Sequence, residues 1–293
     1  MTNFGNLLTA MVTPFKKDLS VDFCMAEKLA VYLAKNGSDG IVVHGTTGES
    51  PTLTHEEEFD LYNVVLRAVK GKAKVIAGTG SNSTATTIAM TKKAEKLGVD
   101  GAMIVVPYYN KPSQEGLLAH FKAVAQSTRL PLIIYNIPGR TGVNMLPETV
   151  AKLAQVKNFV MLKDAAGNLD QTAATRALTP KNFRILSGDD SLTLPMMAVG
   201  AEGIISVASH IAGKEIKAMV SAFLKGQVTQ AQKLYFKLLP LFKVLFITTN
   251  PVPVKAALEM VGMPVGGVRL PLVPATDIEK QKIKKVLIAL GKV

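Results

Sequence analysis

The chain has 293 residues, 48% of them hydrophobic, and a net charge of +12 from 34 Lys and Arg against 22 Asp and Glu. That hydrophobic share supplies a large core and excludes a disordered chain. The single cysteine, Cys24, excludes an internal disulfide and fits a reducing cytoplasm; with no activating partner nearby in sequence it is read as structural.

The N-terminal stretch MTNFGNLLTAMVTPF has neither the basic region nor the apolar core of a signal peptide. No apolar run approaches the ~18–20 residues of a membrane span. The positive charge is spread along predicted helices, with some concentration in 280–285, and no basic stretch is interleaved with aromatics. It therefore reads as a solvated basic surface able to attract anionic substrates, not as a nucleic-acid footprint. The expectation is a cytoplasmic protein with no membrane or nucleic-acid partner.

Short runs rich in Val and Ile recur at 8–12, 41–43, 75–77, 103–106, 132–135, 159–162, 184–186 and 204–207. Helical segments separate them. This is the pattern of parallel strands buried on both faces, and eight repeats match a closed (β/α)8 barrel. An open doubly wound sheet is the alternative, but its glycine fingerprint is missing: Gly78-Thr79-Gly80 continues as Ser-Asn-Ser. Helix starts are marked by Thr54 before three acidic-rich residues, by Pro147-Glu148 and by Asp189-Asp190. Lys35-Asn36-Gly37 and Lys96-Leu97-Gly98 read as stops.

After Ser209 no strand-like run occurs. Segments 214–224, 229–246, 254–261 and 276–290 read as helices, broken by Pro240, by Asn250-Pro251-Val252-Pro253 and by Gly266-Gly267. The expected organisation is a catalytic barrel over 1–225 and a C-terminal helical region over 226–293. No low-complexity linker intervenes, so the two are expected to pack as one body.

Reactive groups of such a barrel stand at the C-terminal ends of its strands. The sixth run, FVML, is followed by Lys163. A lysine that closes so apolar a strand is desolvated, which lowers its pKa and frees the amine for imine formation with a carbonyl compound. The bland reading is a lysine that solvates its head at the strand end. The other strand ends carry Thr13-Pro14, Gly45-Thr46-Thr47-Gly48-Glu49-Ser50, Gly78-Thr79-Gly80, Tyr108-Tyr109-Asn110, Tyr135-Asn136 with Arg140 shortly after, Ser187-Gly188-Asp189-Asp190, and Ile204-Ile205-Ser206. The GTTG glycines let backbone approach a ligand, and its hydroxyls and N–H groups can hold a carboxylate, although GTTG alone is as readily a tight turn. The tyrosines could equally anchor a loop, and Arg140 could cap a helix. His44, His55, His120 and His210 lack metal-ligand spacing and read as core or surface histidines. A mouth with one lysine, phenols, hydroxyls, an arginine and no metal cluster points to imine chemistry on a small carboxylated carbonyl compound.

GTTGES, PYYNKPSQEG, YNIPGRTG, the lysine strand, LSGDD, NPVPVK and RLPL together resemble the dihydrodipicolinate synthase family, also called 4-hydroxy-tetrahydrodipicolinate synthases. The resemblance runs from about residue 5 to the C-terminus. It implies a class I aldolase-type barrel and a homotetramer built as a dimer of dimers. It further implies condensation of pyruvate with L-aspartate 4-semialdehyde, the first committed step of lysine synthesis through diaminopimelate. Lys163 would form the imine, with Tyr135 as general acid/base. Thr46 and Tyr109 would complete a hydroxyl relay, Tyr109 reaching into a neighbouring subunit's site. Thr47, Gly188 and Ile205 would hold the pyruvyl part, and Arg140 the semialdehyde carboxylate. No metal or organic cofactor is implied, because the covalent imine is itself the electron sink. The lysine segment reads LKDAAGN where the family more often has IKEATGN, which removes no reacting group.

In family members sensitive to lysine, the feedback site matches Ser50, Pro51, His55, Glu58, Asn82, Thr86 and Tyr108. Sensitive members usually carry His at the place of Glu58 and Glu at the place of Thr86, so weak or absent inhibition is expected. The nearest alternative activity is that of an N-acetylneuraminate lyase or a 2-keto-3-deoxy sugar acid aldolase, which generally lack an arginine at the Arg140 position. A catalytically dead pyruvate-binding barrel is a further alternative, set against the presence of every expected reacting group.

Overall fold

A computed structural model describes residues 3–293, so the first two residues of the N-terminal reading lie outside it. Eight parallel strands follow one another in the order of the sequence and form a closed barrel. They are β1 (Leu7–Ala10), β2 (Gly40–Val43), β3 (Lys74–Gly78), β4 (Gly101–Val105), β5 (Leu132–Asn136), β6 (Phe159–Asp164), β7 (Arg184–Ser187) and β8 (Ile204–Ser206). All eight expected runs are strands, with no end displaced by more than two residues. The first strand starts earlier and stops at Ala10; beyond it Met11 N donates to Val42 O at 3.0 Å, and Val12 N to His210 Nε2 at 3.2 Å. The barrel stands where the open-sheet alternative would have had an edge.

The chain forms two compact units. One comprises residues 3–6 and Ile76–Ile205; the other comprises Leu7–Val75 and Ser206–Val293. In the first, β5 and β6 are in register so that Tyr135 faces Lys163 and Asn136 faces Asp164 across the strand pair. Apart from Tyr135, Asn136, Lys163 and Asp164 at the strand ends, the buried side chains of β4, β5 and β6 are Ala, Ile, Leu, Met and Phe, the composition expected of strands covered on both faces. In the second, the helix Ser209–Leu224 packs on the helix Val228–Val244, followed by Val252–Met260 and Asp277–Ala289. No helix among the described residues is long and apolar enough to cross a membrane.

Local signals act as expected at several boundaries. Thr54 caps the helix His55–Ala68 through a capping box: its hydroxyl accepts from Glu57 N, and the Glu57 carboxylate accepts from Thr54 N. Gly98, at φ 83°, closes the helix Thr84–Leu97 in a conformation that glycine adopts without strain. Two expectations are corrected. Pro240 does not break its helix, which runs from Val228 to Val244 through it. The lost backbone bond is outweighed there by the buried stripe of Leu238, Leu241, Phe242 and Val244. Cys24 is exposed and fills no core position, because the buried face of its helix is Ala26, Leu29, Ala30 and Leu33.

Candidate active site

Lys163 does not solvate its head. It is the fifth of six residues in β6 and is 6% exposed. Neighbouring strands are close-spaced, so the register that pairs Lys163 with Tyr135 brings amine and ring together, with Nζ 4.1 Å from the ring centroid. Burial pushes the Lys163 pKa from 10.5 down to about 7; the Asp190 carboxylate opposes that fall and the Arg140 charge adds to it. Near neutral pH a substantial fraction of this amine is therefore unprotonated and nucleophilic, whereas an ordinary lysine is almost wholly protonated there.

The surroundings are built around that amine. Gly188 N donates to Asp164 O at 2.7 Å. A Cβ at Gly188 would sit 2.8 Å from Ala165 Cβ and 3.2 Å from Lys163 Cε, so only glycine lets this backbone lie beside the lysine. Asp190, 2% exposed, starts the short helical turn that Asp189 caps by accepting from Ser191 N and Leu192 N. Asp164 accepts from Ala166 N at 3.0 Å and Thr172 Oγ1 at 2.8 Å. Burial nevertheless raises its pKa, and these two hydrogen bonds oppose the rise. Ile205 is buried in β8.

Tyr135 is 5% exposed, whereas Tyr109 is 88% exposed at φ 75°, a left-handed conformation unusual for a tyrosine. Tyr108 is exposed as well. Arg140 lies on the exposed side of the short helix Pro138–Thr141 that follows β5. Its effect on Lys163 is that of a nearby positive charge.

Thr46 and Thr47 belong to the other unit, in a single helical turn directly after β2. Thr47 is buried and Thr46 half-buried. Residues of the expected feedback site fall in both units. Glu58 is buried and shared by two imidazoles, His55 Nδ1 at 2.9 Å and His44 Nδ1 at 3.3 Å. His55 and Pro51 are exposed and Ser50 half-buried. Asn82 and Thr86 are half-buried, Asn82 O accepting from Asn110 Nδ2 at 2.8 Å.

Some partners escaped the sequence reading. Asp190 is legible in the sequence as part of a strand end and of a helix start, but its electrostatic effect on Lys163 is a tertiary fact. Lys255, 3% exposed, pairs with Glu49 Oε1 at 2.6 Å, and burial lowers its pKa to about 8 against the pull of Glu49. Its signal was available: a lysine within the apolar run VPVKAAL is as conspicuous as the one ending FVMLK. Of the histidines, His210 is a core residue whose pKa burial lowers to about 4, so it stays neutral while accepting from Val12 N.

A closed parallel barrel that ends a strand in a desolvated lysine beside a tyrosine is the arrangement of the class I aldolase-type lyases. The chain belongs to the Dihydrodipicolinate synthetase family, whose sequence profile it matches over residues 3–290. It is 57% identical over 292 residues to a 4-hydroxy-tetrahydrodipicolinate synthase from Cyanothece sp., an alignment that covers 99% of each chain. Among solved structures it is similar to a dihydrodipicolinate synthase of Bacillus anthracis, with TM-score 0.96 and 50% identity over 98% of this chain and 99% of that one. It is also similar to the enzyme of Cyanidioschyzon merolae with lysine bound, with TM-score 0.98 and 51% identity over 99% of each chain.

Proposed function

We propose that this chain condenses pyruvate with L-aspartate 4-semialdehyde to give 4-hydroxy-tetrahydrodipicolinate, the first committed step of lysine synthesis through diaminopimelate. The observation that carries this reading is the buried Lys163 amine, with a pKa of about 7, beside Tyr135. The Lys163 amine adds to the ketone of pyruvate, water leaves, and the protonated imine withdraws electrons from the adjacent methyl group. Loss of a methyl proton gives an enamine, whose carbon attacks the aldehyde of the semialdehyde. The amine of the semialdehyde then displaces Lys163 and closes the ring. The imine serves as electron sink, so this reaction draws on no metal or organic cofactor.

Tyr135 is the general acid/base, since the register of β5 on β6 holds it beside the amine. Thr46 and Tyr109 extend the proton relay. The exposure of Tyr109 favours its serving a neighbouring subunit in a homotetramer. Thr47 and the backbone at Gly188 and Ile205 bind the pyruvyl group. Arg140 offers a planar, bidentate fork to the semialdehyde carboxylate. The test is borohydride reduction in the presence of pyruvate, followed by peptide mass mapping. The added mass belongs on the peptide that contains Lys163; label elsewhere, or none, rejects the assignment.

A further inference from the structure

The turn that carries Thr47 is held from the C-terminal helical region of its own unit. Asn250, 6% exposed, donates from Nδ2 to Thr47 Oγ1 at 2.9 Å. The other amide atom, Asn250 Oδ1, is buried without a hydrogen-bond partner among the described residues. Around this contact the turn is fixed several times over. Thr13 Oγ1 donates to Gly48 O at 2.6 Å. Glu49 is held at φ 55°, in the left-handed region that non-glycine residues avoid. Its carboxylate meets Lys255 Nζ at 2.6 Å and Arg269 N at 3.0 Å. These contacts set backbone. Asn250 alone among them acts on the Thr47 side chain.

A hydroxyl has one proton and two lone pairs. With Asn250 donating into one lone pair, the Thr47 proton must point elsewhere and is available to an acceptor. A carboxylate is an acceptor only, so a hydroxyl committed to donation is what it requires. An aspartate at position 250 would do the reverse. It would draw the Thr47 proton to itself and set a negative charge beside the bound anion.

We propose that Asn250 is a positioning residue that commits the Thr47 hydroxyl to donate to the carboxylate of pyruvate. This rests on the proposed role of Thr47. The Asn250 amide acts through the Thr47 hydroxyl, so its effect falls on pyruvate binding.

The experiment is a double-mutant cycle between Asn250 and Thr47 in the full-length enzyme, read as KM for pyruvate, kcat and borohydride trapping at saturating pyruvate. Asn250→Ala should raise the pyruvate KM roughly three- to thirtyfold, and Asn250→Asp more than that, with kcat changed less than about threefold. In a Thr47→Val background, Asn250→Ala should add less than about twofold. In Thr47→Ser, where the hydroxyl returns, the Asn250→Asp penalty should return with it. Asn250→Asp keeps the shape of the side chain and serves if Asn250→Ala fails to fold. Additive effects in the valine background, or a loss confined to kcat, would overturn the inference while trapping in the parent protein left the proposed function intact. A parent protein that traps no pyruvate would overturn both.

Discussion

The buried amine of Lys163 makes a thermodynamic prediction that is separate from catalysis. The group binds protons with a pKa of about 7 in the folded chain and 10.5 ordinarily. Below pH 10.5 the unfolded chain holds a proton that the folded chain resists. At pH 7 this opposes folding by about 4 kcal/mol, at 1.36 kcal/mol for each pH unit between the two values. Replacing Lys163 with methionine keeps most of the volume and removes the ionisable group. The variant should be more stable than the parent by about 2–4 kcal/mol at pH 7, after allowing for the lost charge attraction of Asp190 and the lost contact with the Tyr135 ring.

The sign can be followed with pH. Between about 7 and 10.5 the unfolded state carries more protons at this site, so the parent gains stability as pH rises through that window. The advantage of Lys163→Met should be constant below about pH 7 and shrink steadily above it. Urea unfolding of both proteins at pH 6.5, 7.5, 8.5 and 9.5 measures the gap directly. A variant no more stable than the parent, or a gap that does not change across these pH values, would show that the amine is solvated after all and that the imine argument lacks its physical basis.

The fold was legible because its signals are local. Val- and Ile-rich runs mark strands buried on both faces whatever surrounds them, and Thr54 and Gly98 announce helix ends with their own side chain or lack of one. Pro240 shows the limit of local reading: its backbone penalty is real, but a buried apolar stripe keeps the helix intact. Lys163 was legible because an apolar strand is a low-dielectric environment written into the sequence itself. Its tuning was not, because Asp190 and Arg140 arrive from other strand ends. The same holds for Asn250 and Thr47, whose hydrogen bond joins residues 203 apart. Nor does any periodicity announce that Gly188 must be bare because Ala165 and Lys163 lie against it.

Gly188→Ala should cut pyruvate trapping by more than tenfold without unfolding the barrel, since its methyl would press on Ala165 Cβ and Lys163 Cε; normal trapping would mean that the strand ends yield freely. Arg140→Leu should lower kcat/KM for the semialdehyde roughly ten- to a hundredfold, from loss of about 1.5–3 kcal/mol of charge-assisted binding, while sparing imine formation. An unchanged semialdehyde dependence would favour the sugar-acid aldolase alternative. Mixed oligomers of Lys163→Ala and Tyr109→Phe subunits should regain activity if Tyr109 completes a neighbour's site, and no recovery in verified mixtures would make each site self-contained. The last prediction is weak inhibition by L-lysine, although the similar enzyme of Cyanidioschyzon merolae has been seen with lysine bound. Thr86 lacks the carboxylate that sensitive members offer to the ligand's ammonium group. Glu58 cannot readily replace it, because its buried carboxylate already serves His55 at 2.9 Å and His44 at 3.3 Å. A missing charged partner in a partly buried site costs about 2–4 kcal/mol, or roughly thirtyfold to a thousandfold in affinity. Calorimetry beside rate assays at millimolar lysine measures this. Tight, saturable binding with inhibition would show that Glu58 leaves its imidazoles to meet the ligand, and Glu58→Ala would then abolish that binding.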